Sequence, residues 1–166
     1  MKLRNSLMAG VILVSMAFSV TACAKVDHYD EDDFLEICEE ELNTDEDEMY
    51  RVTDMADGGY YFRYGSAVVY YVEYDSEKDA KKEFNNILDD FEDAKQDSSN
   101  HKLSDVSVKL KDHGYLVIKG EIDDEYFYGG YYWSEDTIIM VVTTQDDDGS
   151  RKAVDEVIDA FGYKKP

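Results

Sequence analysis

Cysteine and proline are scarce in this chain of 166 residues, which contains two cysteines and one proline. Because Cys23 and Cys38 are the two cysteines, a disulfide network cannot hold the fold together and packing must do so. The chain is nevertheless not of the disordered type, since 13% of its residues are aromatic and disordered segments lack such residues. We therefore predict one folded domain, with Cys38 as a buried free thiol on the apolar side of a helix.

Positive charge is also in short supply. The chain has 17 lysines and arginines against 39 aspartates and glutamates, and its formal net charge is −22. The field of such a protein repels phosphate backbones and anionic lipid surfaces. The composition therefore argues against nucleic acid as a partner and favours cationic partners.

The N-terminus has the layout of a secretory signal. Lys2 and Arg4 supply positive charge, the stretch from Leu7 to Val20 is apolar, and Thr21 and Ala22 are the small residues expected before a cleavage site. The apolar stretch of roughly 14 residues is shorter than the roughly 20 residues that cross a bilayer as a helix. We predict that residues 1–22 are removed, so that the mature protein does not begin at Met1.

The end of this signal, Val20-Thr21-Ala22-Cys23, resembles the lipobox of bacterial lipoproteins. The resemblance implies that Cys23 receives a thioether-linked diacylglycerol and becomes the first residue after cleavage. It also implies a location on the extracytoplasmic face of the cell membrane. Two acyl chains are enough for stable attachment to that membrane. The alternative is an ordinary signal peptide in which the cysteine is incidental, and the choice between inner and outer membrane stays open.

Three regions follow from this interpretation: the signal at 1–22, the lipidated cysteine with a short tether at 23–29, and a single acidic domain at 30–166. Loss of Lys2 and Arg4 with the signal would change the formal charge from −22 to −24. In its lipobox, its one compact acidic domain and its order of helix, meander and helix, the chain resembles small uncharacterised lipoproteins of Gram-positive bacteria. Those families imply no mechanism for it.

The periodicity of apolar residues predicts an α+β fold. Helical spacing favours amphipathic helices at 30–43, 76–95 and 149–161. Alternation and turn residues predict short strands at 49–55, 60–64, 67–74, 106–111, 115–121, 126–132 and 138–144. We expect an antiparallel, tyrosine-rich meander sheet of six to seven strands packed with the three helices. A strand leading into an amphipathic helix occurs twice, at 67–95 and at 138–161, which raises the possibility of a pseudo-twofold internal repeat.

Residues typical of catalytic and metal sites are sparse. His28, His101 and His113 lie in the tether, a polar loop and a turn, without the spacing of metal ligands. The acidic run at 146–149 lacks the register of a calcium-binding EF-hand loop and is better explained as acidic residues preceding a helix. We therefore assign no catalytic residue, no metal site and no cofactor.

Tyrosine is the one excess that suggests a binding surface, with 14 tyrosines in the chain. Neighbouring tyrosines on a strand point to opposite faces of the sheet, so one core cannot hold them all. Tyr131, Tyr132 and Trp133, beside Gly129 and Gly130, are our candidates for an aromatic surface that binds a peptide, a glycan or a partner protein. The alternative is that these rings pair across strands in the core.

These observations favour a membrane-anchored interaction or ligand-binding module that is not an enzyme. Two alternatives stay open. One is a cell-envelope hydrolase that uses acidic residues, for which a pair of carboxylates with separated pKa values would be needed. The other is a surface protein that buffers cations through weak, salt-sensitive binding.

Overall fold

A computed structural model describes residues 26–52, 58–96, 103–122 and 124–166. The predicted signal, the lipidation site Cys23 and the first residues of the predicted tether lie outside these ranges. The same is true of His101 and of the predicted strand 49–55 beyond Val52.

The described chain forms an antiparallel sheet of seven strands with three α-helices, which confirms the predicted α+β fold. The helices are α1 (Glu31–Leu42), α2 (Glu77–Gln96) and α3 (Asp148–Ala160), and a 3-10 helix covers Glu46–Glu48. The strands are β1 (Tyr50–Arg51), β2 (Gly58–Tyr64), β3 (Ala67–Glu73), β4 (Ser104–Lys109), β5 (His113–Ile122), β6 (Glu125–Ser134) and β7 (Thr137–Thr143).

Acidic residues begin two of the helices, as their position before apolar-periodic segments predicts. Asp30 caps α1 by accepting a hydrogen bond of 2.9 Å from the Asp33 N–H. Asp147 caps α3 by accepting one of 3.0 Å from the Ser150 N–H. Such caps satisfy backbone donors that have no partner inside the helix and place negative charge at the positive end of the dipole. All six predicted helix limits lie within one residue of those in the structure.

The strand order β1-β2-β3-β7-β6-β5-β4 joins two meanders. Strands β1 to β3 follow one another along the chain, and strands β4 to β7 do the same from the opposite edge. The meanders meet where β3 pairs with β7. Helix α2 connects β3 at the centre with β4 at the far edge, so it must cross the strands between them.

The sheet has a core on each face. On one side, here called the α1/α3 face, helices α1 and α3 cover rings and aliphatic side chains of β2, β3, β6 and β7, including Phe62, Tyr71 and Tyr132. On the other side, the α2 face, Ala80, Phe84 and Phe91 of α2 pack on Trp133, Ile138, Leu116 and Ile118. Cys38 lies in the first core, which confirms its predicted burial.

The first described residues, 26–29, pack against the folded domain, although the sequence predicted them to be part of a tether. Val26 is buried, Tyr163 donates a hydrogen bond of 3.1 Å to the Asp27 carbonyl, and Tyr29 donates one of 3.0 Å to the Phe161 carbonyl. These contacts hold residues 26–29 against the C-terminus of α3. The residues of the predicted tether before Val26 lie outside the described ranges.

The two strand-to-helix units do not have the geometry of a pseudo-twofold repeat. Strand β3 leads into α2 and strand β7 leads into α3, and the two strands are antiparallel neighbours. A twofold axis that exchanges antiparallel neighbours stands normal to the sheet and leaves both helices on one face. Here α2 and α3 cover opposite faces. The shared pattern therefore reflects two helices that each follow a strand.

Candidate functional site

The structure buries most of the aromatic cluster that the sequence suggested as a surface. Trp133 is 0% exposed and packs with Phe84 under α2, their ring centroids 5.6 Å apart. Tyr132 is 1% exposed on the opposite face, where its ring stacks on Tyr163 at 4.4 Å. Tyr131 is half-buried beside α2. Because Tyr132 and Trp133 point into different cores, the expectation of an exposed surface formed by these three residues is corrected.

The glycine pair before them has a structural reason. Gly129 has φ of 155°, and a Cβ atom there would lie 2.0 Å from the Val141 carbonyl oxygen of the neighbouring strand. A Cβ atom on Gly130 would lie 2.7 Å from the Tyr132 hydroxyl. These positions therefore require glycine for the close approach of backbone and ring, without any ligand.

Three other tyrosines form an exposed row across the opposite half of the sheet. Tyr50, Tyr61 and Tyr70, here called the tyrosine row, occupy paired positions on β1, β2 and β3. The ring centroids of Tyr50 and Tyr61 are 5.1 Å apart, and those of Tyr61 and Tyr70 are 5.5 Å apart, with interplanar angles of 22° and 20°. Tyr50 is 64% exposed and Tyr61 36% exposed, while Tyr70 is half-buried.

The course of α2 explains why this row is open. Tyr61 and Tyr70 point to the α2 face, since their neighbours Tyr60 and Tyr71 lie in the α1/α3 core. Helix α2 packs on β5, β6 and β7, the strands that it must cross to reach β4. The α2 face of β1, of β2 and of the part of β3 around Tyr70 lies outside the main contacts of the described helices, although Val72 further along β3 is buried. We call this area the bare half and the area beneath α2 the covered half.

A grouping of carboxylates lies on the other face, around Tyr60. Its hydroxyl oxygen is 2.8 Å from Glu31 Oε1 and 3.1 Å from Glu46 Oε1, and Arg51 Nη2 is 3.2 Å from each of these oxygens. The Arg51 guanidinium also lies 4.7 Å from the centroid of the Tyr60 ring. Burial, followed by the two carboxylates, raises the pKa of Tyr60. The arrangement joins α1, the 3-10 helix, β1 and β2, and it pairs both carboxylates with one cation.

Two open depressions lie on the described part of the chain. One of about 260 Å³ is lined by the N-terminal segment and by two turns, and it includes His28, Asp112 and His113. Another of about 470 Å³ lies between α1 and α3, with Glu41, Glu156 and Asp159 at its margin. Glu156 is already paired with Lys152, their side-chain atoms 2.8 Å apart, and this pairing lowers its pKa.

Within the described ranges, no three His, Cys, Asp or Glu side chains are grouped so that they could hold a metal ion. None of the helices in the same ranges is both long enough and apolar enough to cross a membrane.

Comparison of the chain with protein-family models, with curated proteins and with solved structures finds no match.

Tyr61 and Tyr70 belong to the tyrosine excess of the sequence but are not among the residues predicted to form an aromatic surface. Their pairing could have been found from the turn at Gly65 and Ser66, which sets Tyr61 opposite Tyr70 once β2 and β3 are recognised as a hairpin. Their exposure could not have been predicted from the sequence, because it depends on which strands α2 passes over.

Proposed function

We propose that this chain is a lipid-anchored module on the extracytoplasmic face of a bacterial cell membrane that acts by binding a partner and not by catalysis. The observation that carries the binding role is the tyrosine row, a strip of three stacked rings in which Tyr50 and Tyr61 are exposed and Tyr70 is half-buried. Tyrosine side chains supply large contact area at low cost in conformational entropy, and they are enriched at protein interfaces.

The packed N-terminal segment supports a close placement at the membrane. Val26 is buried in the domain, and three residue steps separate it from Cys23. An extended chain of this length spans about 11 Å at most. A lipid on Cys23 would therefore hold the pole that carries Val26 next to the bilayer.

The tyrosine row would stay accessible in this position. Glu73, which pairs with Gly58, marks the end of β3 on the side of the N-terminal segment, where the Tyr74 N–H bonds to the Asp136 carbonyl. Tyr61 and Tyr70 are three residues further along their strands, about 10 Å away from that end. The row would therefore face sideways, away from the bilayer surface.

The hydrolase alternative is not supported by a specific observation on the described residues. A general acid and base need carboxylates whose environments separate their pKa values, commonly in a deep pocket. The pair beside Tyr60, Glu31 and Glu46, has side chains 37% and 56% exposed and shares the Arg51 cation. We therefore propose binding alone.

The anchor is tested by comparing the wild-type protein with Cys23→Ala and Cys38→Ala variants. Cells expressing each form are labelled with a fatty-acid analogue, the membrane fraction is collected, and the mass of the N-terminal peptide is measured. We expect diacylglycerol on Cys23 in the wild-type and Cys38→Ala proteins, and neither label nor membrane retention in Cys23→Ala. Equal labelling of all three forms, or an unmodified mature protein beginning at another residue, would refute the anchor.

A further inference from the structure

The bare half combines exposed tyrosine rings with negative charge along one flank of α2. Lys95 Nζ lies 2.9 Å from Asp105 Oδ1 on β4, and Lys81 donates a hydrogen bond to the Lys111 carbonyl in the β4–β5 turn. The flank with these two lysines thus faces β4. At 100° per residue, Glu83 and Asp90 lie on the opposite flank, toward β3.

The position of Glu83 agrees with this assignment. Tyr74 directly follows β3 and packs beside α2 in the covered half. Burial and then the carboxylate of Glu83 raise its pKa to about 12, as expected for a charge near the β3 side of the helix. The acidic flank of α2 is therefore directed toward the half of the sheet that carries the tyrosine row, and the basic flank is directed away from it.

A cationic partner fits this surface better than the other candidates do. Aromatic faces attract lysine and arginine through their negative quadrupole. The same chain uses this contact elsewhere: Lys81 Nζ lies 4.9 Å from the Trp133 ring centroid and Lys119 Nζ lies 5.5 Å from that of Tyr128. An anionic glycan or a second copy of this chain, with its formal charge of −22, would meet repulsion.

We propose that the tyrosine row, together with Glu83 and Asp90, is a docking surface for a basic peptide segment of a partner protein. This inference rests on the proposed binding function and specifies its partner. The row crosses three neighbouring strands and is therefore about 10 Å long, enough for lysine or arginine side chains to lie over successive rings while the acidic flank neutralises them.

Replacing Arg63 tests the proposal, because the direction of the change in affinity depends on the charge of the ligand. Its Cα pairs with that of Val68, two residues beyond Tyr61 on β2, and its exposed side chain belongs to the same face of the sheet. A guanidinium at this position repels a basic segment and attracts an anionic one. Removing its charge therefore raises the affinity for the partner proposed here and lowers the affinity for an anionic ligand.

The experiment measures binding of a short oligoarginine peptide to the full-length protein, extracted from membranes in detergent, by titration at several salt concentrations. Tyr61→Ala/Tyr70→Ala is compared with Tyr64→Ala, which removes a half-buried ring from the other face of β2. Glu83→Gln/Asp90→Asn is compared with Glu39→Gln/Glu40→Gln, which removes the same charge from exposed positions on α1. Circular dichroism checks that each variant is folded.

We expect the two-tyrosine variant to bind about fivefold more weakly or worse, as the loss of two cation–π contacts implies. Glu83→Gln/Asp90→Asn should bind more weakly than its control pair, and Arg63→Gln should bind more tightly. Equal losses in the matched controls, weaker binding by Arg63→Gln, or binding of a neutral oligosaccharide in place of the peptide would overturn the proposal. None of these results bears on the lipid at Cys23, so failure of the docking proposal is distinguishable from failure of the anchor.

Discussion

The two halves of the α2 face consist of different strands with the same alternation of side chains, yet they use those side chains differently. In the covered half, Trp133, Ile138 and Leu116 pack against α2 and are buried. In the bare half, Tyr50 and Tyr61 stack on each other and remain open to water. The sheet therefore does not need a helix over the whole α2 face to be stable, because the α1/α3 core lies on the opposite side of both halves.

The aromatic residues of the two halves differ, and each type suits its environment, buried beneath α2 or exposed to water. The covered half places its indole beneath a helix, where the Trp133 Nε1 still donates a hydrogen bond of 2.8 Å to the Glu135 carbonyl. The bare half presents rings that are apolar on their faces and polar at the hydroxyl, so they tolerate contact with water. We therefore expect substitutions in the covered half to affect folding and those in the bare half to affect binding.

The largest expected difference comes from Phe84→Ala, which removes a fully buried ring that packs with Trp133. Loss of a buried phenylalanine lowers the free energy of unfolding by about 3–5 kcal/mol, since transfer and cavity terms add. Urea denaturation followed by the fluorescence of Trp133 measures the change. A loss below about 1 kcal/mol would mean that the packing of α2 contributes little to the stability of the domain.

The element pattern was predictable because local signals determine it. Acidic caps, helical spacing and turn glycines lie close together in sequence, and the predicted helices at 30–43, 76–95 and 149–161 are confirmed within one residue at each end. Of the strand predicted at 49–55, Tyr50 and Arg51 pair with β2, and the residues after Val52 lie outside the described ranges. Edge pairing depends on a neighbouring strand, which periodicity does not report.

The site was less predictable because it depends on the relative placement of distant elements. Tyr131, Tyr132 and Trp133 carry the same alternating pattern as Tyr60, Tyr61 and Phe62, and the sequence alone does not tell which strand lies beneath a helix. The strand order of the sheet decides which strands lie beneath a helix. Because β3 pairs with β7, helix α2 must pass over β7, β6 and β5 to reach β4. Exposure of the row therefore follows from topology.

The second prediction concerns pH and the covered Tyr74. Its pKa is raised to about 12, first by burial and then by Glu83, from the ordinary value of about 10. The folded state therefore favours the protonated phenol, so this stabilisation is present below pH 10 and is lost as the pH rises from about 10 to 12. We expect the urea midpoint of Tyr74→Phe to fall less steeply in this range than that of the wild type.

Other buried tyrosines, including Tyr71 and Tyr132, also have raised pKa values because of burial, so both proteins should lose stability at alkaline pH. The informative quantity is the difference between the two slopes. Identical slopes would show that Tyr74 remains protonated to the same extent in the folded and unfolded states, and that it does not report on the covered half.

A smaller effect is expected at the β4 side of the covered half. Lys95→Met keeps the apolar stem but removes the ion pair with Asp105, whose carboxylate oxygen is 2.9 Å from Lys95 Nζ. Partly exposed pairs of this kind contribute about 1 kcal/mol or less, and salt weakens them. Denaturation at low and high salt, with the exposed Lys82→Met as control, measures it. A loss that is independent of salt would indicate packing of the stem instead of charge pairing.

The smallest change in stability is expected at the open end of the bare half. Tyr50 lies on the edge strand β1, is 64% exposed and stacks on Tyr61 alone among the row. Its replacement by alanine removes one cross-strand aromatic pair, so the free energy of unfolding should fall by about 0.5 kcal/mol. Urea denaturation beside Phe84→Ala measures both on one scale. A loss of about 2 kcal/mol or more would show that Tyr50 stabilises β1. The rings of the bare half would then serve stability, as those of the covered half do.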